Sequence, residues 1–327
     1  MKELIASFTA QLRQAMEIGS KAVFSKPNQE IRNVLITGLG GSGIGGSIVS
    51  QLVEREICVP ITVNKDYFIP SFVGPSTLVI VSSYSGNTEE TISAMELCMS
   101  KGATIVCVTS GGKILEMARS AGYDHIIIPG GMPPRACLAY SLTQLLFVLN
   151  GFSLIGDGFK SDLEATIHLL DYEEEHICSD AYYLSEKLHR KTAVIYSQSD
   201  YEGVCIRFRQ QINENSKMLC WHHALPEMNH NELVGWTTTN DKLAVVFFRN
   251  ETDYPRTSAR MDFTKGIVSK YTPFVFEVYS KGSTHLQRSM YLVHFGDWVS
   301  WYLSEIKNID ATEVKVIDYL KGELGKI

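Results

Sequence analysis

Short apolar runs alternate with helical patterns along the first half of the chain. Five of these runs are rich in valine or isoleucine and have the length of buried strands: Ile31–Thr37, Ile61–Val63, Leu78–Ser82, Ala103–Thr109 and His125–Ile128. Runs of this kind, separated by helices, are typical of a parallel sheet covered on both faces. The crossovers between the strands are expected to be right-handed. The first half is therefore predicted to be an α/β domain.

The second half repeats this alternation less regularly. A long charged helical pattern covers Asp162–Lys191, and a polar loop after the strand Thr192–Tyr196 leads to a helix near Tyr201–Ser216. Two more strands and a last helix are predicted at Leu243–Arg249, Pro273–Tyr279 and Met290–Ile306. This half is expected to be a second α/β domain with a parallel sheet flanked by helices.

The boundary between the halves is predicted from glycines. Three glycines make the backbone flexible after the last apolar run of the first half: Gly151, Gly156 and Gly158. Two domains are therefore expected, 1–155 and 156–327. A chain of 327 residues has room for about two domains of ordinary size.

The net charge and the hydropathy of the chain argue against nucleic-acid and membrane partners. The formal net charge of −6 argues against nucleic acid, because binding to a phosphate backbone requires clustered positive charge. No apolar run approaches the roughly 18 residues of a membrane span, and the start of the chain, MKELIA, does not read as a signal peptide. We therefore expect a cytoplasmic protein with no membrane partner.

Seven cysteines are scattered along the chain and form no Cys-x-x-Cys pair. An odd number without metal-type spacing indicates neither a disulfide framework nor a zinc knuckle. Most lie among apolar neighbours, so buried small hydrophobic residues are the expected role.

A hydroxyl-rich segment follows the third predicted strand and precedes a helical pattern at Ile92–Met99. It reads Ser82-Ser83-Tyr84-Ser85-Gly86-Asn87-Thr88. A helix that begins after a tight turn presents backbone N–H groups to an anion, and Ser83, Ser85 and Thr88 add hydroxyl donors. Hydroxyls without lysine or arginine suit a sugar monophosphate better than a nucleoside triphosphate. The alternative is a purely structural helix cap.

A glycine-rich loop follows the first predicted strand. Residues 38–47 read GLGGSGIGGS, and a helix is predicted over Ile48–Val53. The spacing from Gly38 to Gly43 also fits the dinucleotide fingerprint Gly-x-Gly-x-x-Gly, but the acidic residue that this fingerprint needs is supplied only by the late Asp66. Adjacent loops of a parallel sheet open at the same edge, so both loops are expected to face one phosphate.

Together, the two loops resemble those of sugar isomerase (SIS) domains, and a duplicated SIS arrangement accounts for both halves. Further segments narrow the resemblance, at Tyr67–Pro70, Pro133–Ala136, Asn213–Lys217, Pro226–Glu232 and Ile317–Lys321. Their order along nearly the whole chain resembles the bifunctional phosphoglucose/phosphomannose isomerase family. The resemblance implies two SIS-type domains and interconversion of glucose 6-phosphate or mannose 6-phosphate with fructose 6-phosphate. The reaction implied by the resemblance requires no metal or redox cofactor.

The resemblance also implies which residues hold the phosphate of the substrate. They lie in the two loops of the first half and are Gly41, Ser42, Ser83, Ser85 and Thr88.

The remaining roles implied by the resemblance concern the sugar. Glu214 matches the base that moves a proton between C2 and C1, and Arg135 matches the arginine that stabilises the enediolate. His230 matches the histidine that assists ring opening from the neighbouring subunit of a homodimer. Lys321 is a ring-opening partner, and Thr312 shapes the sugar pocket.

The chemistry explains these residue types. Ring opening needs a group that exchanges protons near neutral pH, which suits histidine. One carboxylate must then reach both C1 and C2, and a permanently charged arginine stabilises the enediolate. By spacing alone, Glu214 also fits a solvated face with salt bridges, and Glu227 and Glu232 beside His230 are rival bases.

The histidine-rich stretch around His222, His223 and His230 raises a metal alternative. It lacks a His-x-Glu-x-x-His pattern, and adjacent histidine side chains diverge on most backbones, so no metal site is predicted. Two other functions remain open: an aminosugar-phosphate isomerase and a non-catalytic sugar-phosphate-binding SIS protein. Neither a glutaminase domain nor a nucleic-acid-binding module is visible in the sequence.

Overall fold

The fold is taken from a computed structural model that describes residues 1–326. The described residues form nine strands, β1 (Asn33–Thr37), β2 (Ile61–Asn64), β3 (Thr77–Ser83), β4 (Thr104–Thr109), β5 (Asp124–Ile127), β6 (Thr192–Gln198), β7 (Cys220–Leu225), β8 (Leu243–Arg249) and β9 (Val275–Tyr279). The helices are α1 (Lys2–Ala6), α2 (Phe8–Ser20), α3 (Gly40–Val53), α4 (Glu89–Ser100), α5 (Gly112–Ala121), α6 (Leu138–Gly151), α7 (Gly158–Leu188), α8 (Glu202–Ser216), α9 (Pro255–Val268), α10 (His285–Ile306) and α11 (Lys315–Leu324). The described 3-10 turns are Pro134–Ala136, Ser199–Tyr201, Glu227–His230 and Glu232–Gly235.

Strands β1 to β5 form one parallel sheet in the order β2-β1-β3-β4-β5. Apolar side chains of β1, β3 and β4 are fully buried because helices α3 to α6 pack against these strands. One core cluster joins Leu35, Val79 and Val81 to Met95 on α4. The predicted parallel sheet of the first half is confirmed.

Strands β6 to β9 form a second parallel sheet in the order β7-β6-β8-β9. Its core cluster includes Val194, Val245, Phe247 and Met261. Helices α8 and α9 contact its strands. The α/β class predicted for both halves is therefore confirmed.

The chain separates into two compact units. The first unit comprises Ala6–Tyr172 with Gly282–Gln287, and the second comprises Met1–Ile5, Glu173–Lys281 and the residues from Arg288 onward. The first sheet lies in the first unit and the second sheet in the second unit. The boundary predicted after residue 155 falls in the connection between α6 and α7.

The prediction that the glycine-rich segment is a loop was wrong. Helix α3 begins at Gly40 and includes most of the segment, so it starts eight residues earlier than the predicted Ile48. Glycine is required there by packing: a Cβ at Gly46 would lie 2.8 Å from Ile36 Cγ2, and one at Gly38 would collide with the Ser82 carbonyl. The missing side chains bring α3 close to the sheet.

Several other elements were not predicted. Strand β7 contains Trp221, His222 and His223, so it lacks the apolar run that marked the other strands. Helix α9 mixes polar and apolar residues without a clear stripe, and only four of its residues are buried. Within residues 1–326, no helix has the length and apolar character of a membrane span.

Candidate active site

Two helices of the first unit begin side by side at the carboxyl edge of the sheet. Helix α3 follows β1 and α4 follows β3, and these strands pair in register with Thr37 opposite Val81. The first-turn N–H groups of both helices therefore open towards the same edge, where the helix dipoles favour an anion. This is the arrangement expected for the two loops.

The hydroxyl of Ser83, at the end of β3, contacts the hydroxyl of Thr88, just before α4. Ser83 Oγ lies 3.1 Å from Thr88 Oγ1, and the backbone N–H of Tyr84 donates to Ser42 Oγ at 3.0 Å. Ser42 thus joins the start of α3 to the segment after β3 and keeps its own proton for donation. Ser85 is exposed, and its Oγ accepts from Asn87 N at 3.2 Å.

Thr88 argues against the alternative that the hydroxyl-rich segment serves only as a helix cap. It is the N-cap residue of α4, yet within residues 1–326 its side chain makes no capping hydrogen bond. The Thr88 hydroxyl instead contacts Ser83.

The same segment is held in place by a close approach at Gly86. Its φ of +68° is in the left-handed region, and a Cβ there would collide with the Gly111 carbonyl. Ile114 N donates to Gly86 O at 2.9 Å, and Lys113 N donates to Asn87 Oδ1 at 3.0 Å. The hydroxyl segment is therefore packed against the start of α5.

Arg135 lies in the 3-10 turn Pro134–Ala136 and is only 4% exposed, so it is not an ordinary surface arginine. The turn approaches the first residues of α3. A Cβ at Gly41 would lie 2.8 Å from Pro134 O and 3.2 Å from Arg135 N. Gly41 therefore allows the backbone that carries Arg135 to approach the start of α3.

Glu214 occupies the last turn of α8 in the second unit and is half-buried. The buried face of α8 is fastened to α10 by polar contacts. Gln211 Nε2 donates to Asp297 Oδ1 at 2.8 Å, Asn215 Nδ2 donates to Ser300 Oγ at 2.9 Å, and Ser216 Oγ donates to Ser300 O at 2.7 Å. These contacts fix the backbone on both sides of Glu214.

Lys217 ends α8 in the left-handed conformation, with φ +51°. Its ammonium group donates to the carbonyl oxygens of Glu214 and Glu313 at 2.6 Å and of Asp310 at 3.2 Å. The end of α8 is thereby tied to the segment before α11. Sequence reasoning gave Lys217 no role of its own, although it closes the segment Asn213–Lys217.

His230 is exposed at the end of the 3-10 turn that begins at Glu227. Its neighbours in sequence are anchored: Asn229 Nδ2 donates to Thr264 Oγ1 at 2.9 Å, and Asn231 Nδ2 donates to Glu227 Oε1 at 2.7 Å. The turn is therefore held in place while the His230 ring faces outward.

The rival carboxylates have partners of their own. Glu227 accepts from Asn231. Glu232 accepts from the Tyr196 hydroxyl and from Trp221 Nε1, the latter at 3.1 Å. Burial raises the pKa of Tyr196, so that hydroxyl stays protonated and donates. Both carboxylates therefore have local structural roles.

Lys321 and Thr312 lie at the C-terminal end of the second unit. Lys321 is exposed on α11. Thr312 N donates to Asp310 Oδ1 at 2.7 Å, and this hydrogen bond lowers the pKa of Asp310.

The histidines of β7 are directed apart. His222 Nε2 lies 3.7 Å from Glu202 Oε1, whereas His223 Nε2 contacts Asn231 Oδ1 at 3.0 Å. Successive residues of a strand face opposite sides of the sheet. Within the part of the chain that the structure describes, no cluster of three or more His, Cys, Asp or Glu side chains is placed to hold a metal ion.

Comparison with known proteins decides the family. The chain is 38% identical to the bifunctional phosphoglucose/phosphomannose isomerase of Caldicellulosiruptor bescii, over 100% of this chain and 99% of that protein. This chain belongs to the bifunctional phosphoglucose/phosphomannose isomerase family. A second member, from Aquifex aeolicus, is 36% identical to this isomerase over 90% of this chain and 91% of that protein. The family predicted from the sequence motifs is confirmed.

The second half of the isomerase matches a known domain type. Residues 178–324 match the bacterial phospho-glucose isomerase C-terminal SIS domain, and they include Glu214, His230 and Lys321. The C-terminal domain of glucosamine-fructose-6-phosphate aminotransferase from Francisella tularensis is similar in fold, with a TM-score of 0.75 and 13% identity over 96% of this chain and 98% of that chain.

Proposed function

We propose that this enzyme interconverts glucose 6-phosphate and mannose 6-phosphate with fructose 6-phosphate. The observation that carries the proposal is the 38% identity to a bifunctional phosphoglucose/phosphomannose isomerase over the whole chain. The chain is accordingly an aldose-ketose isomerase built from two SIS-type domains, 1–155 and 156–327. We place the phosphate site in the first domain and the base in the second.

The substrate phosphate binds where α3 and α4 begin. Hydroxyl donors come from Ser42, Ser83, Ser85 and Thr88, and Gly41 leaves room for the neighbouring backbone. Support comes from the contact between Ser83 and Thr88 and from the N-cap position of Thr88. A phosphate at two helix N-termini also has the charge that the helix dipoles favour.

The sugar then reacts in two stages. His230, with Lys321 as a partner, moves a proton between the C1 hydroxyl and the ring oxygen and opens the ring. Glu214 removes the C2 proton, and the electron pair forms the C1–C2 double bond of an enediolate. The same carboxylate returns the proton to C1, while the proton of the C2 hydroxyl passes to the C1 oxygen, so that C2 becomes the ketone and C1 carries a hydroxyl. Arg135 stabilises the negative charge of the enediolate.

We propose that the protein is a homodimer and that the His230 of each active site comes from the other subunit. Support comes from the exposure of His230 and from α11, which within the described residues buries none of its side chains. Its exposed apolar residues include Val316, Tyr319 and Leu320. An apolar helix face of this kind suits contact with a second subunit of a homodimer.

Mixing two inactive variants tests the shared site. If His230 acts across a dimer, equal amounts of His230→Ala and Glu214→Gln subunits, unfolded and refolded together, recover about a quarter of wild-type activity, since half of the dimers carry one intact site. No recovery after mixing would place both residues of each site in one subunit.

The enzyme is assigned to the cytoplasm and to a small-molecule sugar phosphate as its substrate. The state of the cysteines supports this location. All seven are free thiols, whereas disulfides are characteristic of proteins in oxidising compartments.

One experiment tests the proposed reaction. The pure protein is incubated with fructose 6-phosphate in deuterated water containing EDTA, and products are followed by proton NMR. Glucose 6-phosphate and mannose 6-phosphate carrying deuterium at C2 are expected. Binding without turnover would favour a non-catalytic SIS protein, and loss of activity caused by EDTA would favour a metal-dependent mechanism.

A further inference from the structure

Tyr84 lies between two of the proposed phosphate-binding serines but faces the protein interior. Its side chain is 7% exposed. Its backbone N–H donates to Ser42 Oγ at 3.0 Å, and its carbonyl oxygen accepts from Ser110 N at 3.0 Å and Ser110 Oγ at 2.6 Å. The Tyr84 backbone is thus fixed to the start of α3 and to the segment after β4.

The Tyr84 hydroxyl reaches the turn that carries Arg135. It accepts a hydrogen bond from Met132 N at 3.1 Å, and the Cys137 thiol is a second hydrogen-bond partner. Met132 and Cys137 flank the Pro133–Ala136 segment on its two sides. The hydroxyl therefore holds both ends of the turn that presents Arg135.

Burial raises the pKa of Tyr84, so the hydroxyl remains neutral and acts as donor and acceptor at once. Cys137 Sγ in turn lies 3.5 Å from Pro133 O, within the same turn. A phenylalanine at position 84 would fill the same space but would leave the part-buried Met132 N–H without this acceptor. The contact is therefore specific to the hydroxyl.

We propose that Tyr84 is a positioning residue that sets Arg135 at a fixed distance from the phosphate-binding hydroxyls. This inference rests on the proposed function. The phosphate is one end of the substrate and the enediolate oxygens are at the other, so catalysis requires the two contacts to be held at a constant separation. Tyr84 is part of the segment that carries the phosphate-binding hydroxyls, and its own hydroxyl is hydrogen-bonded to the turn that carries Arg135.

The expected consequence follows from the geometry of catalysis. An arginine side chain has several rotatable bonds, and a misplacement of about 1 Å can cost about 100-fold in rate. Loss of the Tyr84 hydroxyl should misplace the Arg135 turn while Ser83, Ser85 and Thr88 stay in place. The catalytic step should therefore suffer more than substrate binding.

The test compares Tyr84→Phe with Tyr140→Phe. Tyr140 is similarly buried in the first unit, but its hydroxyl donates to Gln14 Oε1 of α2 at 2.6 Å, whereas the Tyr84 hydroxyl accepts from Met132 N. We expect Tyr84→Phe to lower kcat about 10- to 100-fold with KM changed less than about threefold. Tyr140→Phe should leave both constants close to wild type. A wild-type kcat in Tyr84→Phe would overturn the proposal.

A double-mutant cycle separates positioning from general loosening of the fold. If Tyr84 acts through Arg135, adding Tyr84→Phe to Arg135→Lys should lower kcat by less than about threefold more, because the arginine contact is already lost. Full additivity of the two effects would contradict the proposal. Failure of the wild-type protein to turn over any sugar phosphate would instead contradict the proposed function, whatever the variants do.

Discussion

Arg207 and Asp297 form an ion pair in which both side chains are enclosed, with 2.9 Å between Arg207 Nη2 and Asp297 Oδ2 and exposures of 2% and 6%. The guanidinium also donates through Nε to Asp297 Oδ1 at 3.2 Å. This two-pronged contact joins α8 to α10 about two helical turns before Glu214. The second unit therefore fixes the helix that carries the proposed base through buried charges.

Removing one partner of this pair should destabilise the fold strongly. Asp297→Asn removes the carboxylate that pairs with the buried Arg207 charge, and a loss of about 3–5 kcal/mol in the free energy of unfolding is expected. Urea unfolding measures the loss. The control is Asp171→Asn, which breaks the exposed pair with Arg13 and should cost less than about 1 kcal/mol. Similar losses in the two variants would show that the enclosed pair has no special role.

If Ser85 binds the substrate phosphate as proposed, Ser85→Ala should have a binding defect. One hydrogen bond to a charged phosphate is worth about 1.5–3 kcal/mol, so KM should rise at least about tenfold while kcat stays within about twofold. Steady-state kinetics with fructose 6-phosphate measure both constants. Ser100→Ala is the matched control, because Ser100 is exposed at the far end of α4 and donates to Leu97 O at 2.7 Å. An unchanged KM in Ser85→Ala would remove Ser85 from the site.

Comparing alanine substitutions at Gly86 and Gly102 tests the close approach of Gly86 to the Gly111 carbonyl, beside the proposed phosphate site. Both have φ of +68°, so alanine at either position should cost about 1–2 kcal/mol of backbone strain. Only at Gly86 would the added Cβ also collide with the Gly111 carbonyl; at Gly102 the nearest atom is Pro75 Cγ at 3.9 Å. Gly86→Ala should therefore lose more stability in urea and raise KM, whereas Gly102→Ala should leave KM unchanged. Equal stability losses would argue against the collision.

Buried thiols predict how stability depends on alkaline pH. Desolvation raises the pKa of Cys98, Cys107 and Cys205 from 9.0 to about 12. The folded state therefore holds these protons to higher pH than the unfolded state, so their stabilisation is complete below the unfolded pKa and is lost as pH rises through the folded one. The free energy of unfolding should fall between pH 9 and 12, by at most about 1.4 kcal/mol per pH unit for each thiol.

Urea unfolding at pH 8, 9 and 10 checks this dependence. Cys107→Ala should make the fall with pH shallower, and the exposed Cys58→Ser should not. A stability that is constant across this range would contradict the assignment of the buried thiols.

The sequence predicted the strands of the first sheet well because β1, β3 and β4 are short, fully buried valine- and isoleucine-rich runs. Strand β7 was missed because it is an edge strand with histidine and tryptophan on its less buried positions. The absence of an apolar run in β7 removes the signal on which such predictions depend.

The sequence pattern alone suggested a phosphate site only at one segment, where Ser83, Ser85 and Thr88 stand close together. The roles of Arg135, Glu214, His230 and Lys321 came only from the family resemblance, and all of these roles remain predictions. Tyr84 lies between Ser83 and Ser85 in the sequence but has no role that the sequence pattern predicts, because its contacts with Ser42, Ser110 and Met132 join residues far apart in the chain. Such roles depend on which loops meet, and a linear pattern does not contain that information.

In the proposed mechanism, Glu214 moves the proton between C2 and C1. The most direct measurement is deuterium incorporation into fructose 6-phosphate by proton NMR, with calorimetric binding of the same sugar phosphate as a parallel readout. Glu214→Gln should slow incorporation by about 10²–10⁴-fold and change affinity by less than about threefold, while Glu227→Gln should incorporate deuterium like the wild type. Wild-type incorporation by Glu214→Gln, or its loss in Glu227→Gln alone, would contradict the account.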